Sequence, residues 1–222
     1  MTAGLVVFDL DGTLIDSSAD LAGAVNATLA RIAPEAPALP VERVRSFVGH
    51  GVRALVARAL AEAALPHRPE DVLPLYLQVY RGRMLDTTRL YPGVAEALEA
   101  LGGYRLDVLT NKPGDMSRAI LEGLGVAPRF TRICGPEDVP GKKPDPAGLR
   151  WLMADAGTGP ESTAMVGDSA VDVRTGRAAG VLTVGVSYGL DPEGLRSDPP
   201  DVTLGDLRGL AEALRGPRAL RL

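Results

Sequence analysis

The sequence has a single cysteine, few aromatic residues and no long apolar run. One cysteine cannot form an internal disulfide, and Cys134 has no Cys or paired His partners for a zinc site, so we expect a buried core thiol. Aromatic residues make up only 4% of the 222 residues, so small aliphatic side chains must fill most of the core. No segment approaches the roughly 20 apolar residues of a membrane helix, or the pattern of a signal peptide. We therefore expect a cytoplasmic protein that does not enter a membrane.

Positive charge is not concentrated anywhere in the chain. The net charge is −4, and arginines stand singly instead of forming a basic stripe, so we expect no nucleic-acid partner. The 45% hydrophobic and 23% charged residues are typical of a folded globular protein. The length fits one large domain or a domain with a smaller insertion, as a monomer or a small homo-oligomer. A small anionic substrate would need a local source of positive charge.

Short apolar runs alternate with helical patterns along most of the chain. The run Leu5–Phe8 ends in acidic residues, which is typical of a strand buried on both faces. Similar runs occupy residues 106–109, 163–166 and 181–186. Between these runs, apolar residues recur at steps of three and four from Val94, Met116 and Leu149. This alternation predicts an α/β fold with a doubly wound parallel sheet and a Rossmann-like core.

Residues 17–87 break the alternation, because they have only helical periodicity. They predict an inserted helical cap domain, between residues 1–16 and 88–222 of an α/β catalytic core. Ser17, Ser18 and Asp20 are expected to cap the first inserted helix. The last residues, 216–222, are expected to form a frayed basic tail.

Two carboxylates follow the first predicted strand, where ligands of open α/β sheets bind. Asp9 and Asp11 stand two residues apart, so in extended chain their side chains leave on the same side. Like charges this close share a proton or bind a cation, and oxygen ligands favour Mg²⁺. An acidic surface turn is the alternative interpretation of this pair alone.

The other predicted strands end in complementary groups. These are Thr110 and Asn111, Lys143 in a loop, and Asp168 with Asp172. A phosphoryl group at a carboxylate nucleophile needs a bridging cation, a hydroxyl for one of its oxygens and a fixed ammonium. Taken singly, Thr110 or Asp168 could cap a helix and Lys143 could lie on the surface. Their joint occurrence favours a phosphoryl-transfer site.

The same residues resemble the four motifs of the haloacid dehalogenase superfamily, in their usual order. The matching segments are Asp9–Thr13, Leu109–Asn111, Lys143–Pro146 and Gly167–Asp172. Because the lysine of the third motif immediately precedes its proline, Lys143 is chosen over its neighbour Lys142. The helical insertion resembles the cap of the group that contains phosphoglycolate phosphatases, phosphosugar mutases and haloacid dehalogenases. The resemblance covers nearly the whole chain.

This resemblance implies a role for each motif residue. Asp9 is the implied nucleophile, which forms an aspartyl-phosphate, and Asp11 is the implied general acid and then general base. Mg²⁺ is the implied cofactor, bound by Asp9, by Asp168 and by Asp11 through its main-chain carbonyl, with Asp172 in support. The residues implied to bind the phosphate are Thr110, Asn111 and Lys143.

The resemblance also narrows the expected reaction. Dehalogenases lack an acid at the position of Asp11, and a phosphonatase needs a cap lysine, whereas Ser17 to Thr88 contains none. The cap shows no clear second phosphate site for a mutase. The expected reaction is hydrolysis of 2-phosphoglycolate, with a pyrophosphatase or a broad sugar-phosphate phosphatase as alternatives. A phospho-accepting receiver-type switch protein is the alternative from another class, although receiver domains are far shorter and have no cap.

Substrate choice is expected to lie in the cap loop Phe47–Arg53, which looks like the Gly-x-Gly loop of phosphoglycolate phosphatases. Gly49 and Gly51 would let backbone amides approach a carboxylate, and His50 or Arg53 would add a donor or a charge. A tight connection between two helices is the alternative reason for the glycines. His50 departs from several relatives, which have asparagine there.

Overall fold

The structure, a computed structural model, describes residues 4–215. The chain divides into two compact units. The larger unit contains the described residues up to Ile15 and from Leu90 onward, and the smaller unit is Asp16–Arg89. The expected basic tail, residues 216–222, lies outside the described residues.

The larger unit is built on a six-stranded sheet in which every pair of neighbouring strands is parallel. The strands of both sheets of the described residues, in chain order, are β1 (Leu5–Phe8), β2 (Ile15–Asp16), β3 (Arg89–Leu90), β4 (Arg105–Leu109), β5 (Arg132–Cys134), β6 (Thr163–Gly167), β7 (Leu182–Val186) and β8 (Val202–Leu204). Strands β2 and β3 pair with each other, and the other six lie in the order β5-β4-β1-β6-β7-β8. The direction of winding therefore reverses between β1 and β6.

The smaller unit contains only helices apart from the strand residues at its two ends. Its helices are α1 (Ser18–Ile32), α2 (Val41–Arg45), α3 (Val52–Glu62) and α4 (Pro69–Arg81). Helix α1 packs against α2, α3 and α4. The apolar residues of α1 and α3 that recur at helical spacing, such as Leu21, Val25 and Val56, are buried.

Helices of the larger unit cover the sheet. They are α5 (Val94–Ala100), α6 (Gly114–Gly123), α7 (Ala147–Ala156), α8 (Ala170–Ala179), α9 (Pro192–Ser197) and α10 (Leu210–Ala213). One core cluster joins Leu5 and Val7 of β1 to Leu149 and Leu152 of α7 and to Met165 of β6. This packing holds the carboxyl ends of the strands in fixed positions.

The structure confirms the doubly wound parallel sheet. The four predicted strands are present, with ends that differ from the prediction by one residue at most. The outer strands β5 and β8 were not predicted, because each has three residues and is partly exposed. Such strands carry no continuous apolar run.

The predicted cap of α1 is wrong in its residues. Ser17 occupies the N-cap position but makes no side-chain cap hydrogen bond to the helix. Asp16 instead accepts hydrogen bonds from the backbone N–H of Ser18, at 3.3 Å, and from the Ser18 hydroxyl, at 2.5 Å. The helix start is therefore stabilised by the acidic residue before the two serines.

Asp20 ties the two ends of the smaller unit together. Its buried carboxylate accepts hydrogen bonds from the backbone N–H and the hydroxyl of Thr87, at 3.0 and 2.5 Å. The same two groups of Thr88 donate to it at 2.9 and 2.7 Å. Burial by itself would raise the pKa of Asp20, but the hydrogen bonds from Thr87 and Thr88 outweigh it and lower the pKa.

We expect Asp20→Asn to lower the free energy of unfolding by about 2–4 kcal/mol at pH 7, because an amide mispairs with four donors in a buried site. Since the folded-state pKa is lowered, the contribution of Asp20 is present above its unfolded pKa and is lost as the pH falls through the folded value. The difference from wild type should therefore shrink in acid. Urea unfolding measures both effects. Asp71→Asn, in an exposed pair with Arg68, is the control and should leave stability nearly unchanged. Equal effects of the two variants would contradict the assignment.

Candidate active site

The carboxyl ends of the central strands lie level with one another. Phe8 is in register with Val108 of β4 and with Val166 of β6. The backbone N–H of Asp9 donates to the carbonyl of Val166 at 2.8 Å. Asp9 therefore stands where β1 meets β6, at the reversal of strand order where open α/β sheets bind their ligands.

Three buried carboxylates meet at this point. One oxygen from each of Asp9, Asp168 and Asp172 lies within 4.8 Å of the others. The ammonium of Lys143 lies 2.8 Å from Asp9 Oδ1 and 2.6 Å from Asp172 Oδ1. Lys142 is exposed, so Lys143 is the lysine that reaches the carboxylates.

The charges in this cluster do not balance. Burial raises the pKa of Asp9 to about 6; Lys143 lowers this pKa and the charge of Asp172 raises it. Burial, with the charges of Asp172 and Asp9, also raises the pKa of Asp168 well above its usual range. Burial lowers the pKa of Lys143, but Asp172 and Asp9 outweigh it and raise the pKa. Three carboxylates around one ammonium leave an excess of negative charge, and this all-oxygen donor set fits a hard divalent cation.

Asp168 is held closely from two sides. The Thr13 hydroxyl donates to its Oδ1 at 3.1 Å, and the backbone N–H of Leu190 donates to its Oδ2 at 2.6 Å. A Cβ added to Gly12 or to Gly189 would stand 2.2 or 2.1 Å from an atom of the Asp168 side chain. Gly12 also has a φ of +90°. The glycine of the first motif is therefore needed both for its backbone angle and for the close approach of Asp168.

Asp172 is fixed by the start of α8. Ser169 is the N-cap residue and forms a capping box with Asp172. The backbone N–H and the hydroxyl of Ser169 donate to Asp172 Oδ2 at 3.2 and 2.6 Å. The other oxygen faces Lys143. Asp172 thus joins the helix start to the ammonium.

Thr110 and Asn111 lie buried just beyond β4. The Asn111 amide nitrogen donates to the main-chain carbonyl of Lys143 at 2.9 Å, which connects the second motif to the third. The Thr110 hydroxyl accepts a hydrogen bond from the backbone N–H of Lys112 at 3.2 Å. The second motif therefore includes a local turn that fixes the backbone of Lys112.

Lys112 is a site residue that was not predicted. The Asp11 carboxylate lies outside the cluster of three, and Lys112 Nζ is 2.8 and 2.9 Å from its two oxygens. The sequence did contain one indication of Lys112, because lysine is rare in this chain. Only three of the 24 Lys and Arg residues are lysines, and they are Lys112, Lys142 and Lys143.

A second element that the sequence did not indicate is the loop after β7. The Tyr188 hydroxyl donates to the main-chain carbonyl of Thr13 at 2.7 Å. Two residues later, the N–H of Leu190 contacts Asp168. Both contacts use main-chain groups, which no side-chain pattern reveals. The loop therefore holds the first and fourth motifs together.

The loop Phe47–Arg53 joins α2 to α3 in the smaller unit. Gly49 and Gly51 have φ values of +103° and +87°, so the turn itself requires glycine at both positions. His50 is exposed. The Arg53 Nε donates to Glu70 Oε1 at 2.8 Å, so part of its charge is balanced within the helical unit.

Cys134 is a buried core thiol, as expected. Burial, with smaller effects of Asp138 and Asp107, raises the pKa of this thiol to about 11. Thiols of such high pKa are poor nucleophiles at neutral pH. None of the helices within residues 4–215 combines the length and the apolar character that a bilayer-spanning segment requires.

Comparison with known proteins agrees with this geometry. The profile of a family described as "Haloacid dehalogenase-like hydrolase" matches residues 6–186. The chain belongs to this family. It is 38% identical to a "Phosphoglycolate phosphatase" of Pseudomonas putida, over 96% of this chain and 80% of that protein. It is 40% identical to a protein of the same name from Rhodospirillum rubrum, over 96% of this chain and 91% of that protein.

The fold is shared with solved members of the family. A crystal structure described as a predicted phosphoglycolate phosphatase from Haemophilus somnus superposes with a TM-score of 0.86 at 31% identity. The superposition covers 96% of this chain and 98% of the other. A structure from Lactobacillus delbrueckii, described as a putative phosphoglycolate phosphatase, superposes with a TM-score of 0.85 at 25% identity.

We expect Mg²⁺ to raise the melting temperature at pH 7.5 and to do so less at pH 5. Asp9, whose pKa is about 6, is mostly protonated at pH 5, and protons then compete with the cation. A concentration 100 times the Kd adds about 2.7 kcal/mol of stability. Differential scanning calorimetry with and without Mg²⁺ measures the shift. Asp168→Asn should remove it, and a shift that survives in that variant would contradict the site.

Proposed function

We propose that this hydrolase is a Mg²⁺-dependent phosphatase that converts 2-phosphoglycolate to glycolate and phosphate through an aspartyl-phosphate on Asp9. The main support is the meeting of Asp9, Asp168, Asp172 and Lys143 at the reversal of strand order. The names of the relatives support the substrate. The proposed partner is thus a small anionic phosphate ester.

In this proposal residues 1–16 and 88–222 form the catalytic core, and residues 17–87 form the cap. The compact units support this division, although the structure divides the chain after Ile15 and after Arg89. The Asp20 contacts with Thr87 and Thr88 close the inserted segment on itself.

Mg²⁺ would be held by the carboxylates of Asp9 and Asp168 and by the main-chain carbonyl of Asp11. Asp172 supports the site because it binds Lys143 and so keeps the ammonium beside Asp9. When bound, Mg²⁺ offsets the negative charge of the carboxylates and of the phosphoryl oxygens. This is the charge that the cluster itself leaves unbalanced.

The proton and bond changes occur in two steps. An Asp9 carboxylate oxygen attacks phosphorus, the P–O ester bond breaks, and the Asp11 carboxyl gives its proton to the leaving alkoxide. The Asp11 carboxylate then takes a proton from water as the water oxygen attacks the phosphorus. The bond between Asp9 and phosphorus breaks and phosphate leaves. Asp11 returns to its protonated state, so the cycle closes.

The phosphoryl oxygens would be bound by Thr110 and Asn111, which follow β4, and by Lys143, which lies in the loop between β5 and α7. Lys143 is buried and its pKa is raised, so it remains charged at neutral pH. A fixed ammonium stabilises the negative charge that the equatorial oxygens carry in the transition state. Because Asn111 donates to the Lys143 carbonyl, these groups form one connected site.

Discrimination between esters is assigned to the cap loop that includes Gly49, His50, Gly51 and Arg53. Gly49 and Gly51, with positive φ angles, form the connection between the end of α2 and the start of α3. His50 is exposed there, and the Arg53 guanidinium lies at the first turn of α3. A donor or a positive charge in this loop suits the carboxylate of 2-phosphoglycolate.

The proposed substrate is tested by a panel of phosphate compounds with release of phosphate as the readout, with and without Mg²⁺. We expect 2-phosphoglycolate to have the highest kcat/KM and activity to require the cation. Higher kcat/KM with pyrophosphate or with hexose phosphates would reject the substrate and keep the reaction class. A persistent phosphoprotein with negligible phosphate release would reject the phosphatase and favour a switch protein.

The nucleophile is tested by Asp9→Asn. We expect kcat to fall on the order of 10³-fold or more, because an amide does not attack phosphorus. The variant should remain folded and melt no lower than wild type in the absence of metal, since ionised Asp9 destabilises the folded state above its unfolded pKa. Circular dichroism and phosphate release are the measurements. Asp86→Asn, at an exposed position, should keep full activity, and turnover retained in Asp9→Asn would reject the role.

A further inference from the structure

The proposed mechanism assigns no role to the contact between Lys112 and Asp11. The side chains of Lys112 and Asp11 are only 5% and 10% exposed. The ammonium lies 2.8 Å from one Asp11 oxygen and 2.9 Å from the other. Removing a lysine and an aspartate from water carries a free-energy penalty that an ion pair often fails to recover. A buried pair at this place therefore needs a functional reason.

The geometry of the pair restricts the Asp11 side chain. An ammonium at nearly equal distance from both oxygens fixes the plane of the carboxyl group, which otherwise rotates freely about its last bond. Lys112 is itself held at its backbone, because its N–H donates to Thr110 at 3.2 Å. The neighbouring Asn111 is tied to the Lys143 carbonyl. The ammonium thus projects from a segment with fixed backbone contacts.

The chain also relates the pair to the reacting atoms. Asp11 lies two residues after Asp9, and Lys112 lies two residues after Thr110. Strands β1 and β4, which precede these residues, are paired in register. The Lys112–Asp11 contact therefore spans two neighbouring strand ends, next to the contact of Lys143 with Asp9.

We propose that Lys112 is a positioning residue that orients the Asp11 carboxyl group for proton transfer. The inference rests on the proposed function, in which Asp11 protonates the leaving alkoxide and then takes a proton from water. Lys112 holds the plane of the carboxyl group in both steps, while one of its oxygens exchanges a proton first with the leaving group and then with water. Correct orientation of an acid or base is a large part of its effect on the rate. Lys112 gives no proton to the substrate and forms no covalent bond.

The dependence of kcat/KM on the leaving group distinguishes a positioning role of Lys112 from a structural one. An alkoxide needs a proton as the P–O bond breaks, whereas p-nitrophenolate leaves readily without one. Because kcat/KM reports the steps up to and including formation of the aspartyl-phosphate, loss of a well-oriented acid should lower it for alkyl esters far more than for p-nitrophenyl phosphate. A general loss of structure would lower both equally.

The experiment compares wild type with Lys112→Met, Lys112→Gln and the control Lys142→Met, whose lysine is exposed. The substrates are 2-phosphoglycolate, ethyl phosphate and p-nitrophenyl phosphate. For Lys112→Met we expect kcat/KM to fall about 10- to 100-fold with both alkyl esters and less than about fivefold with the aryl ester. Lys112→Gln, which retains one N–H donor for Asp11, should recover part of the loss. Lys142→Met should match wild type with all three.

Two results would overturn the inference while the proposed function stands. Equal losses with alkyl and aryl esters would assign Lys112 a structural role. A loss confined to 2-phosphoglycolate would mean that Lys112 binds the substrate carboxylate instead of acting through Asp11. If Lys112→Met does not fold, as judged by circular dichroism, Lys112→Gln supplies the same comparison. A wild-type protein that hydrolyses none of the esters overturns the proposed function, and this is seen before any variant is made.

Discussion

The mutual repulsion of Asp9, Asp168 and Asp172 is the constraint on which the rest of the site depends. Their oxygens come within 4.8 Å of one another in a buried position, where charge is poorly screened. Lys143, the Thr13 hydroxyl and the N–H of Leu190 offset part of the repulsion. Burial, together with the repulsion that remains, raises the pKa values of Asp9 and Asp168 and favours either protonation or a divalent cation. The three residues stay close together despite their repulsion, because the core packs the central strands and so holds the residues in place.

The glycines around the site follow from the same crowding. Gly12 and Gly189 leave room for Asp168, and Gly167 leaves room for Asp172, whose Cβ would be 2.3 Å from an added Cβ. Side chains at these places would push the carboxylates out of the cluster. These glycines take no part in the reaction, but they are needed to keep the carboxylates in the cluster. Conformational freedom alone explains Gly49, where an added Cβ would meet no atom within 4 Å, but not these three.

The predictable and unpredictable parts of the molecule differ in how their contacts are made. The buried strands were predictable, because runs such as Leu5–Phe8 are apolar throughout, and so were the acids that follow them. The edge strand β8 was not, since its three residues are partly exposed. The contacts of Tyr188 and Leu190 each include a main-chain group, the Thr13 carbonyl in one and the Leu190 N–H in the other, and a side-chain pattern does not encode such groups. Lys112 was missed because its residue type, in a turn after a strand, is usual for a solvated surface.

The use of lysine instead of arginine inside the site has a geometric reason. Arginine forms the exposed ion pairs of this chain, as Arg43 does with Glu62 and Arg174 with Asp198. The less exposed Arg105 contacts two carboxylates, those of Asp107 and Asp155, but a guanidinium donates only within its own plane. Asp9 follows β1 and Asp172 lies in the first turn of α8, so Lys143 must contact carboxylates from two different elements, at 2.8 and 2.6 Å. A compact ammonium with three N–H donors spread around its axis can do this in a narrow space. The choice of lysine at position 143 therefore follows from the directions in which Asp9 and Asp172 present their carboxylates.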